Sequence, residues 1–153
     1  MRVKKTNKDL ISFINNTNAV LSVSSENKGA KILTKQAKVF SSALEDYNAS
    51  IENNQIEYCS VDEKNNVMKG EKGEYLFTKE ALKELSIKTK ELLNQEVEVE
   101  VFLTAEQVNL LPQGTQDYFN SFLGLDSMGE QQAEVVELGA ITKQESILGN
   151  EIN

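Results

Sequence analysis

A chain of 153 residues, 39% of them hydrophobic, can bury one modest core, so a single domain is expected and anything outside it reads as a tail or arm. The formal charge of −8 and pI near 4.7 argue against non-specific binding to nucleic acid or to an anionic membrane, since both need cationic surface, and favour a basic or apolar protein partner. The sequence has no His, which removes the commonest metal ligand and the usual general base near neutral pH, and with it any Ser-His or Cys-His nucleophile system.

The single Cys59 has no partner for an intrachain disulfide. No apolar run reaches the roughly 20 residues of a membrane helix or resembles a signal-peptide core, so a reducing cytosol is the expected compartment. Without a secretory route, the triplets Asn15-Asn16-Thr17 and Asn48-Ala49-Ser50 carry no weight as glycosylation sites.

The opening Met1-Arg-Val-Lys-Lys5 alternates basic and apolar residues. Thr6 or Asn7 can then cap a short helix with Leu10, Phe13 and Ile14 on one face, ending near Thr17 or Asn18. Leu21 to Val23 reads as a short extended piece before a polar turn from Ser24 to Gly29.

From Lys28 to Tyr58 the apolar positions Ala30, Leu33, Ala37, Phe40, Leu44, Tyr47 and Ile51 alternate in steps of three and four. They miss at Asn54 and resume at Tyr58. This is a narrow seam on one helix of about 30 residues, roughly 45 Å long. Residues 59–77, CSVDEKNNVMKGEKGEYLF, mix turn residues with short apolar pieces and read as a β-hairpin or ordered excursion with Gly70-Glu-Lys-Gly73 at its tip.

Thr78 is placed to cap a second helix, with Phe77 and Leu82 spaced for a hydrophobic staple and a seam of Leu82, Leu85, Thr89 and Leu92 that stops at Asn94. This helix covers only about 24 Å, which leaves about 20 Å of the long seam to be met by something else. The first helix, at roughly 17 Å, nearly fills the gap in a three-helix layer; the other solution is a coiled coil with a second chain.

In QEVEVEVFL, residues 95–103, Val97, Val99, Val101 and Leu103 share one strand face and Glu96, Glu98 and Glu100 the other. The N-terminal segment has the same alternation with the opposite sign. Antiparallel pairing against residues 96–103 sets Arg2 and Lys4 across from Glu98 and Glu100 and puts Val3 on the valine face. Each such exposed ion pair contributes only about 0.2–1 kcal/mol, so the buried valines set the register.

Thr104-Ala-Glu-Gln107 is a capping box that starts a short helix through Leu111, ended by Pro112. Another short helix, capped by Thr115, carries Tyr118, Phe119, Phe122 and Leu123 up to Gly124. Composition then shifts: residues 126–153 hold six acids against one lysine, with the apolar positions Val135, Val136, Ile141, Ile147 and Leu148 and no sustained period. The expected architecture is α+β. A long helix and a shorter antiparallel helix pack on a small antiparallel sheet, in a domain of residues 1–124 with an acidic docking arm of residues 125–153.

Several constellations have a plainer reading than the chemical one. Gly70-Glu-Lys-Gly73 has the GxxG form of a nucleic-acid clamp, but an acid fills one variable position and a hairpin turn explains it better. Asp62-Glu-Lys-Asn-Asn66 lacks the ligand alternation and central glycine of a calcium loop and reads as a solvated turn. Glu96, Glu98 and Glu100 have the spacing for a divalent cation or paired carboxylates, the only basis for an enzymatic reading; a solvated strand face is the alternative. Cys59, at the C-terminal end of the long helix rather than at a helix N-terminus, reads as structural. The cluster Tyr118, Phe119, Phe122 and Leu123 fits either core packing or a docking surface.

Taken in order, RVKKTNKDL, a long helix ending in Tyr58, GEKGEYLFTKE, ELLNQ and EVEVEVFL resemble small uncharacterised proteins encoded by tailed phages and prophages. The likeness covers residues 1–111, and the tail after Gly124 departs from the short form of the pattern. The resemblance implies a phage or prophage origin and supplies no catalytic residues.

The expectation is a non-enzymatic interaction protein, a small virion component or assembly partner, with no cofactor and no metal. It would act in the host bacterial cytoplasm and then in the virion. Its partners would be other phage structural proteins or copies of itself, with neither nucleic acid nor membrane among them. Partner-binding is expected at Tyr118, Phe119, Phe122, Leu123, Val135, Val136, Ile141, Ile147 and Leu148. The alternative is a soluble acidic inhibitor of a host protein, acting as a nucleic-acid mimic or anti-defence factor.

Overall fold

In a computed structural model of the protein, which describes residues 1–124, the chain runs from strand β1 (Arg2–Thr6) through helices α1 (Asn7–Ser24), α2 (Lys28–Ala43), α3 (Glu45–Tyr58) and α4 (Lys79–Leu93). Strand β2 (Glu96–Glu100) and the short helices α5 (Ala105–Val108) and α6 (Gln116–Phe122) complete it. The fold is α+β with a two-stranded antiparallel sheet. The expected arm of residues 125–153, including Val135, Val136, Ile141, Ile147 and Leu148, lies outside the described residues.

The sheet has the expected register: Arg2 faces Glu100, Lys4 faces Glu98 and Val3 faces Val99. Val99 is buried while the three glutamates are exposed, so the strand turns its valines to the helices and its acids to solvent. Beyond Glu100 the strand has no third neighbour, and the buried Gln36 of α2 takes over. Its Nε2 donates to the Glu100 carbonyl at 2.9 Å, and its Oε1 accepts the main-chain N–H of Phe102 at 2.9 Å and of Leu103 at 3.2 Å. One amide side chain thus satisfies three backbone groups that the sheet leaves unpaired.

Three helix boundaries depart from expectation, the smallest difference being that α5 ends at Val108 rather than Leu111. α1 continues to Ser24 rather than stopping near Thr17 or Asn18, so Leu21 to Val23 are helical, not extended. The cause is the line Leu10, Phe13, Thr17 and Val20, spaced at three and four and buried throughout, which keeps packing past the polar Asn15–Asn18 run. The 28–58 segment is two helices broken at Leu44, not one. Leu44 is buried and its φ of −89° and ψ of 1° leave the helical range, two residues after the Ser41-Ser42 pair.

The break falls where the seam changes partner. α2 packs on α1 and α3 packs on α4. α1 and α4 meet end to end where the buried Asn7, first residue of α1, donates from Nδ2 to the Leu92 carbonyl at 2.8 Å and from its backbone to Gln95 at 3.0 Å. Two shorter helices in line therefore cover the α2–α3 rod. The length arithmetic is met within one chain along its first half.

The core lies between α1, α2, the sheet and the C-terminal helices. Phe13 is fully buried, with its ring centroid 4.9 Å from Phe40, 5.3 Å from Phe119 and 4.8 Å from Phe122. Edge and tilted contacts of this kind contribute about 0.5–1.5 kcal/mol beyond burial. Asn27 fastens the other end: its Oδ1 caps α2 through Ala30 N–H at 3.1 Å and its Nδ2 donates to the Leu110 carbonyl at 3.0 Å. Gly29 lets α2 approach closely there, because a Cβ would stand 2.8 Å from Leu111 Cδ2 and 3.1 Å from its backbone nitrogen.

Candidate interaction surface

The segment 45–93 leaves this body as an arm. α3 buries no residue, and α4 buries only Leu85 and Thr89. α3 is anchored at its base by Leu44 and α4 by its end against Asn7.

Between the two helices the chain makes two successive tight hairpins, bridged at Val61–Val67 and at Lys69–Tyr75. They are held by a closed ring of main-chain hydrogen bonds among three residues eight apart. Met68 N–H donates to Ser60, Leu76 N–H to Met68 and Ser60 N–H to Leu76, at 2.9, 3.1 and 2.8 Å.

The turn chemistry is local. In the first hairpin Asp62 Oδ1 accepts from Lys64 N–H at 2.8 Å and Asn66 N–H at 2.9 Å, and Asn65 takes a φ of +64°. The Asn66 bond, chiefly, holds the Asp62 carboxyl below the usual carboxylate range. In the second, Gly73 has a φ of +79° and the Glu74 carboxylate accepts from Lys72 N–H at 3.0 Å. Gly70-Glu-Lys-Gly73 is therefore the hairpin turn expected.

This arm carries most of the large apolar side chains that the described residues expose. At its tip stand Val61 at 49%, Val67 and Met68 at 41% and Leu76 at 38%. Along its shaft stand Ile56, Leu82 and Ile87. These are seven of eleven such residues, and isolated exposed apolar groups are ordinary whereas a concentration on one projection marks an interaction site.

The other candidates place as follows. Phe119 and Phe122 are core residues packed on Phe13, and Tyr118 and Leu123 are half-buried against the same cluster. The short helix α6 thus spends its aromatic face at home, because α1 and α2 supply the covering rings. Glu98 lies 3.8 Å from Arg2, and Glu100 Oε1 accepts from the amino terminus at 2.6 Å. That hydrogen bond is the first cause holding the Glu100 carboxyl below its usual range. Among the described residues no three His, Cys, Asp or Glu side chains gather to hold a metal ion. Cys59 is buried, its thiol donating to the Ile56 carbonyl at 3.2 Å.

Lys5 is a residue whose part the sequence reading missed. It pairs with Val97, on the inner face, and its Nζ donates to the Phe122 carbonyl at 2.9 Å while lying 4.3 Å from the Phe122 ring centroid. It satisfies an orphan carbonyl at the end of α6 and ties that helix to the sheet. The cleft beside it, lined by Val3, Lys5, Val101 and Phe122, has a volume of about 210 Å³, below the ~300 Å³ at which small-molecule sites begin. No helix among the described residues is long and apolar enough to cross a membrane.

Comparison of the chain with protein-family models, with curated proteins and with solved structures finds no match.

Proposed function

We propose that the protein is a non-enzymatic interaction protein that holds a protein partner through the α3–α4 arm. The observation supporting this is the concentration of exposed apolar groups on a segment that buries almost nothing of its own and whose tip is ordered by main-chain bonds rather than by a core. An ordered apolar tip binds without the entropy cost of ordering a loop. The resemblance to phage-encoded proteins supplies the setting: a small virion component or assembly partner, bound to another protein of the particle.

Mass spectrometry of purified particles from a strain carrying the gene tests this. The chain should be present at a fixed copy ratio, and Val67→Asp with Met68→Asp should fold yet be lost from particles. Absence of the chain from both particles and assembly intermediates overturns the reading.

A second reading, an acidic inhibitor of a host protein, draws on α3, which carries Glu45, Asp46, Glu52 and Glu57 and no basic residue. Binding of that kind weakens steeply with salt and competes with nucleic acid, and a salt-insensitive complex would count against it.

A further inference from the structure

The charges on the arm are sorted by side. At about 100° per residue, Lys79, Lys83 and Lys90 of α4 fall within about 40° of one another, with Leu82 beside them, while Glu80, Glu84 and Glu91 line the neighbouring side. On α3, Glu45 and Glu52 fall in one line with Ile56. The inner lines of the two helices are fixed by burial: Leu85 and Thr89 on α4, and the half-buried Tyr47, Ile51 and Tyr58 on α3. α3 and α4 are right-handed and antiparallel, so residues turned in the same sense from those inner lines emerge on the same side of the pair. One face of the shaft therefore shows an acidic stripe on α3, with Ile56 exposed at its outer edge, next to a lysine stripe on α4, with Leu82 exposed between the stripes. Lys79, Lys83 and Lys90 form no salt bridge with Glu45 or Glu52 within the chain, and Lys88 of α4 lies over the Tyr58 ring of α3 at 5.9 Å.

We infer that this face binds the same face of a second copy of the chain. Resting on the arm as an interaction surface, the inference names one of its partners. A partner of a single charge would meet one stripe with attraction and the other with repulsion. A patch carrying both signs in separate stripes is complementary to itself under a two-fold rotation, and a two-fold interface makes every contact twice. The charges also choose the axis. A two-fold axis along the arm lays α3 on the partner's α4, acid over lysine, with Leu82 of each copy enclosed between; an axis across the arm lays α3 on α3 and sets acid against acid. The dimer thus has parallel arms, with both hairpin tips at one end and left uncovered for the partner proposed above.

The full chain at about 100 μM should sediment at twice its 17.1 kDa mass, and the dimer should weaken as salt rises. The variant K79E/K83E/K90E and the variant E45K/E52K should each be monomeric, with unchanged circular dichroism, and an equimolar mixture should recover a one-to-one dimer. The affinity of that mixture should exceed that of either variant alone by at least about tenfold. Where the triple reversal impairs folding, Lys83→Glu with Glu52→Lys makes the same comparison. A monomeric parent chain, a dimer indifferent to both reversals, or a mixture that stays monomeric each overturns the inference. A monomer that still enters particles would leave the arm's partner-binding role standing, and a dimer absent from every particle would do the reverse.

Discussion

The side-chain oxygen of Gln36 accepts the main-chain N–H of Phe102 at 2.9 Å, which joins the middle of α2 to the chain where β2 has run out of strand partners. The same amide also serves Glu100 and Leu103, and the residue is fully buried. Gln36→Leu fills a similar volume but leaves a carbonyl and two N–H groups without partners. At about 1–3 kcal/mol for each buried group left unsatisfied, the loss should total about 3 kcal/mol or more. Urea unfolding measures it, with the exposed Lys35→Ala, expected within about 0.5 kcal/mol of the parent, as the comparison.

Phe119 and Phe122 should behave as core residues. Each contacts the Phe13 ring, and both are at most 7% exposed. Phe119→Ala and Phe122→Ala should each lower stability by about 3–5 kcal/mol. Were either residue a docking group, thermal melting would barely move and only binding would suffer.

The first hairpin should carry an acid-sensitive turn. The Asn66 N–H bond is the main cause lowering the Asp62 carboxyl below its ordinary value of 3.8, with desolvation opposing it and the Lys64 bond adding to it. Because the folded value is depressed, the contribution is present in full above the unfolded value. It is lost as pH falls through the folded one. In an NMR titration the Asp62 carboxyl midpoint should lie below 3.8, and the Lys64 and Asn66 amide shifts should follow it. Asp62→Asn keeps an acceptor oxygen, so the turn should remain and the titration disappear. A midpoint at or above the ordinary value would contradict the turn geometry.

What could be read in advance was whatever depends on near neighbours in sequence. The pairing of Arg2 with Glu100 and Lys4 with Glu98 follows from a period of two, and the Thr6, Thr78 and Thr104 caps from side chains bonding three residues on. Thr115 shows the limit: it stands at the start of α6, but its hydroxyl donates back to Pro112 at 2.6 Å instead of capping.

The break at Leu44 was hidden because the apolar steps run through it unchanged; only the change of partner from α1 to α4 requires it. Lys5 left a readable sign, since strand parity puts it on the side of Val3, although its acceptor lies 117 residues away. The ring joining Ser60, Met68 and Leu76 uses main-chain groups alone, so no side chain announces it, and the spacing of eight that produces it has no apolar pattern. The arm's exposed surface was obscure for a related reason. A seam at helical spacing reads the same whether its own chain covers it fully or in part.

The arm should also open by itself. Local stability follows buried apolar contact, and α3 has no buried residue while α1 and α2 hold Leu10, Phe13, Val20, Leu33 and Phe40 between them. Native-state hydrogen exchange should show amides of α3 and residues 60–76 exchanging at least about tenfold faster than those of α1 and α2, through an opening that leaves the body folded. Leu85 is the one large apolar side chain that α4 buries, at 3% exposure, so Leu85→Ala should accelerate exchange throughout the arm. The slowest amides of α1 and α2 should change much less, because they exchange through openings of the body. Equal acceleration in both regions would mean that arm and body unfold as one unit. The arm's surface would then be held by the core after all.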